Sequence, residues 1–148
     1  MKHSLLTGPA LFLFALQGCV NDDVLLYEVR VHGSVAAMET GALHLEFHHE
    51  QRFGSGALAH PLGEFDRRTV SAAQAPISFD ETILYPQQKG QGLLIYGWLD
   101  TDGDGVLCAP GKLPEPSGLF RVSSFPAHSV EVQLVLDKRC AALEALFP

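Results

Sequence analysis

The chain has 148 residues, 47% hydrophobic and 18% charged, with a formal net charge of −7. High apolar content with modest charge excludes a disordered chain. No apolar run reaches the ~18–20 residues that cross a bilayer as a helix, which excludes a multi-pass membrane protein, and an acidic chain without a basic patch argues against nucleic acid as a partner.

Met1-Lys2-His3 is a short, positively charged start, followed by an uncharged apolar stretch over residues 4–15, the length found in secretory signals. Leu16-Gln17-Gly18-Cys19 then resembles a bacterial lipobox, with Leu three residues before the cysteine and a small residue directly before it. The resemblance implies that residues 1–18 are a lipoprotein signal peptide. It also implies that Cys19 takes a diacylglycerol on its thiol and, after cleavage, an acyl chain on its new amino group. Several acyl chains hold a protein on a membrane stably where one does so marginally. Removing residues 1–18 takes away Lys2 and no acid, leaving nine cations against 17 acidic residues, or −8. Val20, where Asp would favour inner-membrane retention in enteric bacteria, points to the outer membrane. Residues 19–26 are read as the lipidated cysteine and a short tether, and 27–148 as one domain. Apolar patterning resumes by Val24, and Val20-Asn21-Asp22-Asp23 spans at most ~14 Å. The domain is therefore expected close to the membrane surface.

Period-two patterning dominates the rest. Val29, Val31 and Val35 alternate with Arg30, His32 and Ser34; Leu43, Leu45 and Phe47 with His44, Glu46 and His48; Ile77 and Phe79 with Ser78 and Asp80. Val130, Val132, Leu134 and Leu136 do the same around Glu131, Gln133 and Asp137. Such alternation marks half-buried strands. Gly92 to Leu99 (GLLIYGWL) is apolar on both faces and reads as a central strand covered on both sides, with Gly97 at a close approach or bulge. Ile83-Leu84-Tyr85 and Leu119 to Val122 are shorter strand candidates, and residues 141–147 suit one short helical turn. Turn signals separate these runs at 39–41, 54–56, 86–92, 102–105 and 110–118. The expected fold is all-β, a single antiparallel sandwich of about seven strands.

Asp100-Thr101-Asp102-Gly103-Asp104-Gly105-Val106 places Asp at positions 1, 3 and 5, Gly at 6 and a backbone carbonyl at 7, the first half of an EF-hand calcium loop. Ca²⁺ takes six to eight oxygens, and alternate Asp side chains on a tight turn aim at one centre. Position 12 is Gly111 rather than Glu, and a strand rather than a helix precedes the loop, so this is no EF-hand. It is more similar to the Asp-x-Asp-x-Asp-Gly loops of extracellular calcium-stabilised domains. The proposed ligand set is Asp100, Asp102, Asp104, Val106 and Glu115, with Ca²⁺ as a structural ion. Asp-Gly turns also form without an ion. If Cys19 carries lipid, Cys108 and Cys140 remain as an even pair in an oxidising compartment, and a disulfide is the expected outcome.

An alternative metal set is His32, His44 and His48, which would converge on copper or zinc if their two strands pair as a hairpin. Strict alternation also explains them as a solvated strand face. His49-Glu50-Gln51-Arg52-Phe53 lacks the second His of a zinc-protease motif. Gly54-Ser55-Gly56 lacks the strand–turn–helix setting of a nucleophile elbow, and nothing in the spacing makes a triad of Ser55, His60 and Asp66. Tyr96 and Trp98 share a face, as a sugar-stacking pair or, more often in a central strand, as core. A hydrolytic enzyme is the third and least supported reading, and no catalytic residue is assigned.

A strand ending in Trp98-Leu99-Asp100, the acidic loop, Pro114-Glu115-Pro116-Ser117-Gly118 and a further strand resemble, over residues 90–125, a transthyretin-like or prealbumin-like sandwich. That resemblance implies a small binding or adhesion domain acting on an unidentified protein or glycan partner, without catalysis. Together these readings describe an envelope lipoprotein, with a periplasmic copper or zinc binder as the alternative.

Overall fold

The computed structural model describes residues 25–51, 60–72, 76–86 and 91–147. The signal, Cys19 and Gly54–Gly56 lie outside the described residues. Among the described residues the fold is a two-sheet, nearly all-β sandwich with one short helix. Strands β1 (Leu26–Ala36), β4 (Ile77–Pro86) and β7 (Ser129–Val135) form one sheet in the order β4-β1-β7. Strands β2 (Gly41–Gln51), β3 (His60–Ala72), β5 (Gln91–Asp100), β6 (Pro116–Val122) and β8 (Lys138–Arg139) form the other in the order β3-β2-β5-β6-β8. The α1 turn (Leu143–Leu146) closes the described chain. None of the described helices is long and apolar enough to cross a membrane.

The alternating residues do as their period dictates. Val29, Val31 and Val35 of β1 meet Leu43, Leu45 and Phe47 of β2 across the sandwich, with Ile83, Leu93, Ile95, Val132 and Leu134 in the same core. In β5 every residue from Gly92 to Asp100 is buried. Leu93, Ile95 and Leu99 face the core between the sheets, while Tyr96 and Trp98 pack on the opposite face against Leu143, Leu107, Leu119 and Leu146. Gly97 is a close approach: a Cβ there would lie 2.5 Å from Leu134 Cδ2. No rearrangement short of moving the β7 side chain would admit it.

Three features depart from the sequence reading. Residues 77–79 and 83–85 belong to one strand, because the inward parity runs on through Glu81. That carboxylate sits half-buried at an inward position, with the Arg68 Nε of β3 3.6 Å away. The strand β3 was not anticipated. Its sequence HPLGEFDRRTVSA is too polar to read as a strand, but it lies at the sheet edge, where charged side chains are the usual means of preventing edge-to-edge pairing. Lastly, β1 and β2 do not pair. The turn at residues 37–40 carries the chain from one sheet to the other, and β1 instead pairs antiparallel with β4 and parallel with β7.

Candidate functional site

The loop from Asp100 to Glu115 joins β5 to β6 and is built around two buried carboxylates. Asp100 is 5% exposed and Glu115 2%. Asp100 Oδ1 accepts the Gly103 N–H at 2.6 Å and its Oδ2 accepts the Gly105 N–H at 2.9 Å. These bonds curl the chain tightly enough to drive Gly103 and Gly105 into the left-handed region, at φ of 76° and 73°, where a Cβ is costly. The next acids repeat the device on a smaller scale. Asp102 accepts the Asp104 N–H at 3.2 Å, and Asp104 accepts the Val106 N–H at 2.9 Å. Such local acceptance is why Asp-Gly repeats form turns.

Glu115 closes the loop from its far end. Its Oε1 accepts the Thr101 N–H at 2.9 Å and its Oε2 the Cys108 N–H at 2.8 Å, while its own carbonyl accepts the Cys140 N–H at 3.0 Å. Cys108 and Cys140 form a disulfide with a Cα–Cα distance of 5.5 Å, and both are left-handed, at φ of 53° and 51°. A non-glycine residue in that region is costly, so the cross-link and the Glu115 bonds together hold a backbone that the chain alone would relax.

Carboxylate oxygens of Asp100, Asp102 and Glu115 lie within 4.8 Å of one another. The donor set is all oxygen, which suits a hard divalent cation, and each bonded oxygen keeps a second acceptor direction. Asp104 is not in that group. Val106 presents an exposed side chain, with its N–H held by Asp104. One feature was not anticipated. Lys112 Nζ sits 3.0 Å from Asp102 Oδ2 and 3.8 Å from Asp104 Oδ2, so the loop supplies a cation of its own. Burial pushes the Asp100 carboxyl up, but the N–H groups of Gly105 and Gly103 and the nearby His44 outweigh it and hold it below its ordinary value.

The histidines do not form one set. His32 lies on β1 in the three-stranded sheet, in register with Asp80 and Glu131. His44 and His48 lie on β2 in the other sheet. The convergence of His32, His44 and His48 required a β1–β2 hairpin, and the separation of those strands removes it. His44 instead stacks flat on Trp98, with ring centroids 4.2 Å apart and planes at 10°. Its Nδ1 is 3.3 Å from Thr69 Oγ1, and its Nε2 is 3.8 Å from Asp100 Oδ2, too far for a hydrogen bond.

His48 Nε2 lies 3.2 Å from Glu46 Oε2. A register shift in the β2–β3 ladder brings Glu64 opposite His48, and Arg67 donates to Glu64 at 2.6 Å and approaches Glu46 at 3.2 Å. The hydrogen bond from His48, with Arg67 and Trp98 adding to it, holds the Glu46 carboxyl below its ordinary value against the upward push of burial. This grouping of Glu46, His48 and Glu64 was missed by sequence reasoning because Glu64 comes from the unanticipated strand.

Of the remaining candidates, Asp66 pairs with Arg68. His49 is buried, 3.1 Å from the Tyr85 hydroxyl, which itself donates to the Gly92 carbonyl at 3.1 Å. That hydroxyl has one proton, so His49 Nδ1 is the donor. Glu50 is buried and paired with Arg121. Tyr96 and Trp98 are core rather than a stacking platform: Trp98 is 5% exposed beneath the His44 ring, and Tyr96 donates to the Ala141 carbonyl at 2.9 Å. Burial pushes the Tyr96 phenol up to about 12.

No protein-family model matches the chain. No curated protein matches it either. Among solved structures it is similar to an alternative pilotin from the type II secretion system of Vibrio cholerae. The two share 13% identity over 76% of this chain and 96% of the other, at a TM-score of 0.40. A similarity of that size carries no argument about function.

Proposed function

We propose that this protein is a non-catalytic, lipid-anchored binding or structural domain of the bacterial cell envelope, whose 100–115 loop takes Ca²⁺ as a structural ion. The observation that carries this reading is the disulfide-closed loop in which Asp100, Asp102 and Glu115 bring carboxylate oxygens within 4.8 Å of one another. A disulfide belongs to an oxidising compartment, in keeping with export directed by the lipobox-like start and with Cys19 as the lipid site. The role of the ion is to replace Lys112 at Asp102 and stiffen a loop already shaped for it. The non-catalytic reading is supported by how the polar groups are used. Each Asp100 oxygen is fixed by one backbone N–H, and His44 lies flat on Trp98 without a hydrogen bond to Asp100. The resemblance of residues 90–125 to transthyretin-like sandwiches adds a protein or glycan partner as the expected ligand class.

Thermal melting in EDTA and in millimolar Ca²⁺ tests the ion. The wild type is expected to gain about 2–3 kcal/mol of stability when Ca²⁺ is near 100-fold over its dissociation constant. Asp102→Asn is expected to lose that gain and Lys112→Gln to keep it at lower Ca²⁺. Identical melting of the wild type in both solutions rejects the calcium reading. Globomycin, which blocks lipoprotein signal processing, is expected to accumulate the unprocessed precursor, and unchanged processing rejects the anchor.

A further inference from the structure

The topology gives the domain two distinct ends. Strand β1 runs from Leu26 to Ala36, and β2 starts beyond the next turn with Ala42 opposite Asp100. The 100–115 loop, the turn with Met38 and the Glu39–Arg139 ion pair therefore share one end. The start of β1 and the end of β4 share the other, since Leu26 is in register with Pro86. The 11 residues of β1 separate the two ends by about 33 Å.

Exposed apolar side chains occur at both ends, Met38, Val106 and Leu113 at the loop end and three leucines at the β1-start end. Leu25 is 65% exposed, Leu26 55% and Leu84 51%. Leu26 and Leu84 lie on the outward face of the three-stranded sheet, as neighbours through the pairs Leu26–Pro86 and Glu28–Leu84. One exposed leucine needs no explanation. These three gather where the chain enters the domain, and only five residues, Val20 to Val24, separate Leu25 from Cys19. Fully extended, that link reaches about 21 Å, less than the length of β1. A lipid on Cys19 therefore brings this end, and not the loop end, to the bilayer. The three aspartates of the loop sit at the far end, away from a surface of anionic headgroups.

We propose that Leu25, Leu26 and Leu84 form a seat on the lipid surface, which fixes the domain upright and holds the 100–115 loop about 33 Å out for a partner. The inference rests on the lipoprotein reading of Cys19 and adds to it an orientation. The patch is small, so the lipid supplies the attachment and the leucines supply the direction.

The test uses the full chain, processed in a bacterial host and reconstituted in phosphatidylethanolamine/phosphatidylglycerol vesicles, with and without brominated acyl chains. The protein has one tryptophan, Trp98, which is buried and gives a constant background. Leu84→Trp and Leu113→Trp place a second indole at exposed positions on opposite ends. The bromolipids are expected to remove most of the added emission of Leu84→Trp and to leave that of Leu113→Trp intact. Equal quenching at both positions, or quenching at neither, overturns the seat. The mass of the N-terminal peptide separates the two readings. With acylated Cys19 and no difference between the probes, only the orientation falls. With an unmodified Cys19, the anchor and the seat fall together.

Discussion

The outward faces of the two sheets are made from similar strands and end in opposite states. On the three-stranded sheet, β7 alternates strictly, with Glu131, Gln133 and Val135 exposed and Val130, Val132 and Leu134 buried. On the five-stranded sheet, β5 is buried on both sides. Its outward residues Tyr96 and Trp98 are covered by the His44 ring, Leu107 and the α1 turn, which the Cys108–Cys140 bond and the Glu115–Cys140 backbone bond tie back to the acidic loop. One sheet thus has a single core, and the other has a core on one side and a thin second layer on the other. Burial is decided by what lies over a strand, and apart from the His44 ring that cover arrives from residues 101–147, well after most strands are written.

The largest break in this comparison comes from the shared core. Phe47→Ala, at a fully buried position between the sheets, is expected to lose about 3–5 kcal/mol in urea unfolding. Val135→Ala on the exposed face should change stability by less than about 0.5 kcal/mol. Equal losses would mean the three-stranded sheet is covered in solution. The cover itself is expected to depend on its cross-link. Replacing Cys108 and Cys140 by Ser opens a loop with a sequence separation of 32 and should remove about 3.5–4 kcal/mol in the chain-entropy model. Retained stability would show that Glu115 holds the loop unaided. Leu143→Ala, which uncovers Tyr96 and Trp98, is expected to lose about 2 kcal/mol and to shift the Trp98 emission to longer wavelength. An unshifted spectrum would mean that His44 alone shields the indole.

The smallest effect is on pH dependence and belongs to the core side of β2. Burial, with His48 adding to it, lowers the His49 imidazole below its ordinary value of 6.5. Above that value His49 is neutral in both states and the folded protein keeps its full stability. As the pH falls below it, the unfolded chain binds a proton that the folded chain refuses, so stability declines until the lower folded value is reached. Asp100 and Glu46, both held below their ordinary carboxyl values, add a separate decline at more acidic pH, once protons reach the unfolded carboxyls. Urea midpoints at pH 7.5 and pH 5.5 should differ in the wild type and converge in His49→Gln. A difference that persists in the variant assigns the upper decline to another group.

How much was legible can be traced residue by residue. The alternation over β1, β2 and β7 and the doubly apolar run of β5 located four strands and the sandwich, because a strand's side-chain period is a local property. The loop was legible because Asp-Gly turns are built from neighbours in sequence, and Glu115 was within reach of its own loop. The edge strand β3 was not, since its charges find partners in β2 and β4 that no local pattern announces. The same holds for Glu81, whose inward position is made tolerable by Arg68, and for Lys112, whose meeting with Asp102 needs the loop folded back. The separation of His32 from His44 and His48 was decided by which sheet each strand joined, a choice that the 37–40 turn does not encode by itself.

The sequence by itself determined the composition of each strand face and the turn chemistry of 100–106, both of which follow from period and spacing. Only the tertiary structure decided which strands pair, which faces receive a second layer and which carboxylates meet. Those outcomes depend on contacts between residues far apart in the chain, where burial and pairing energies outweigh local preference.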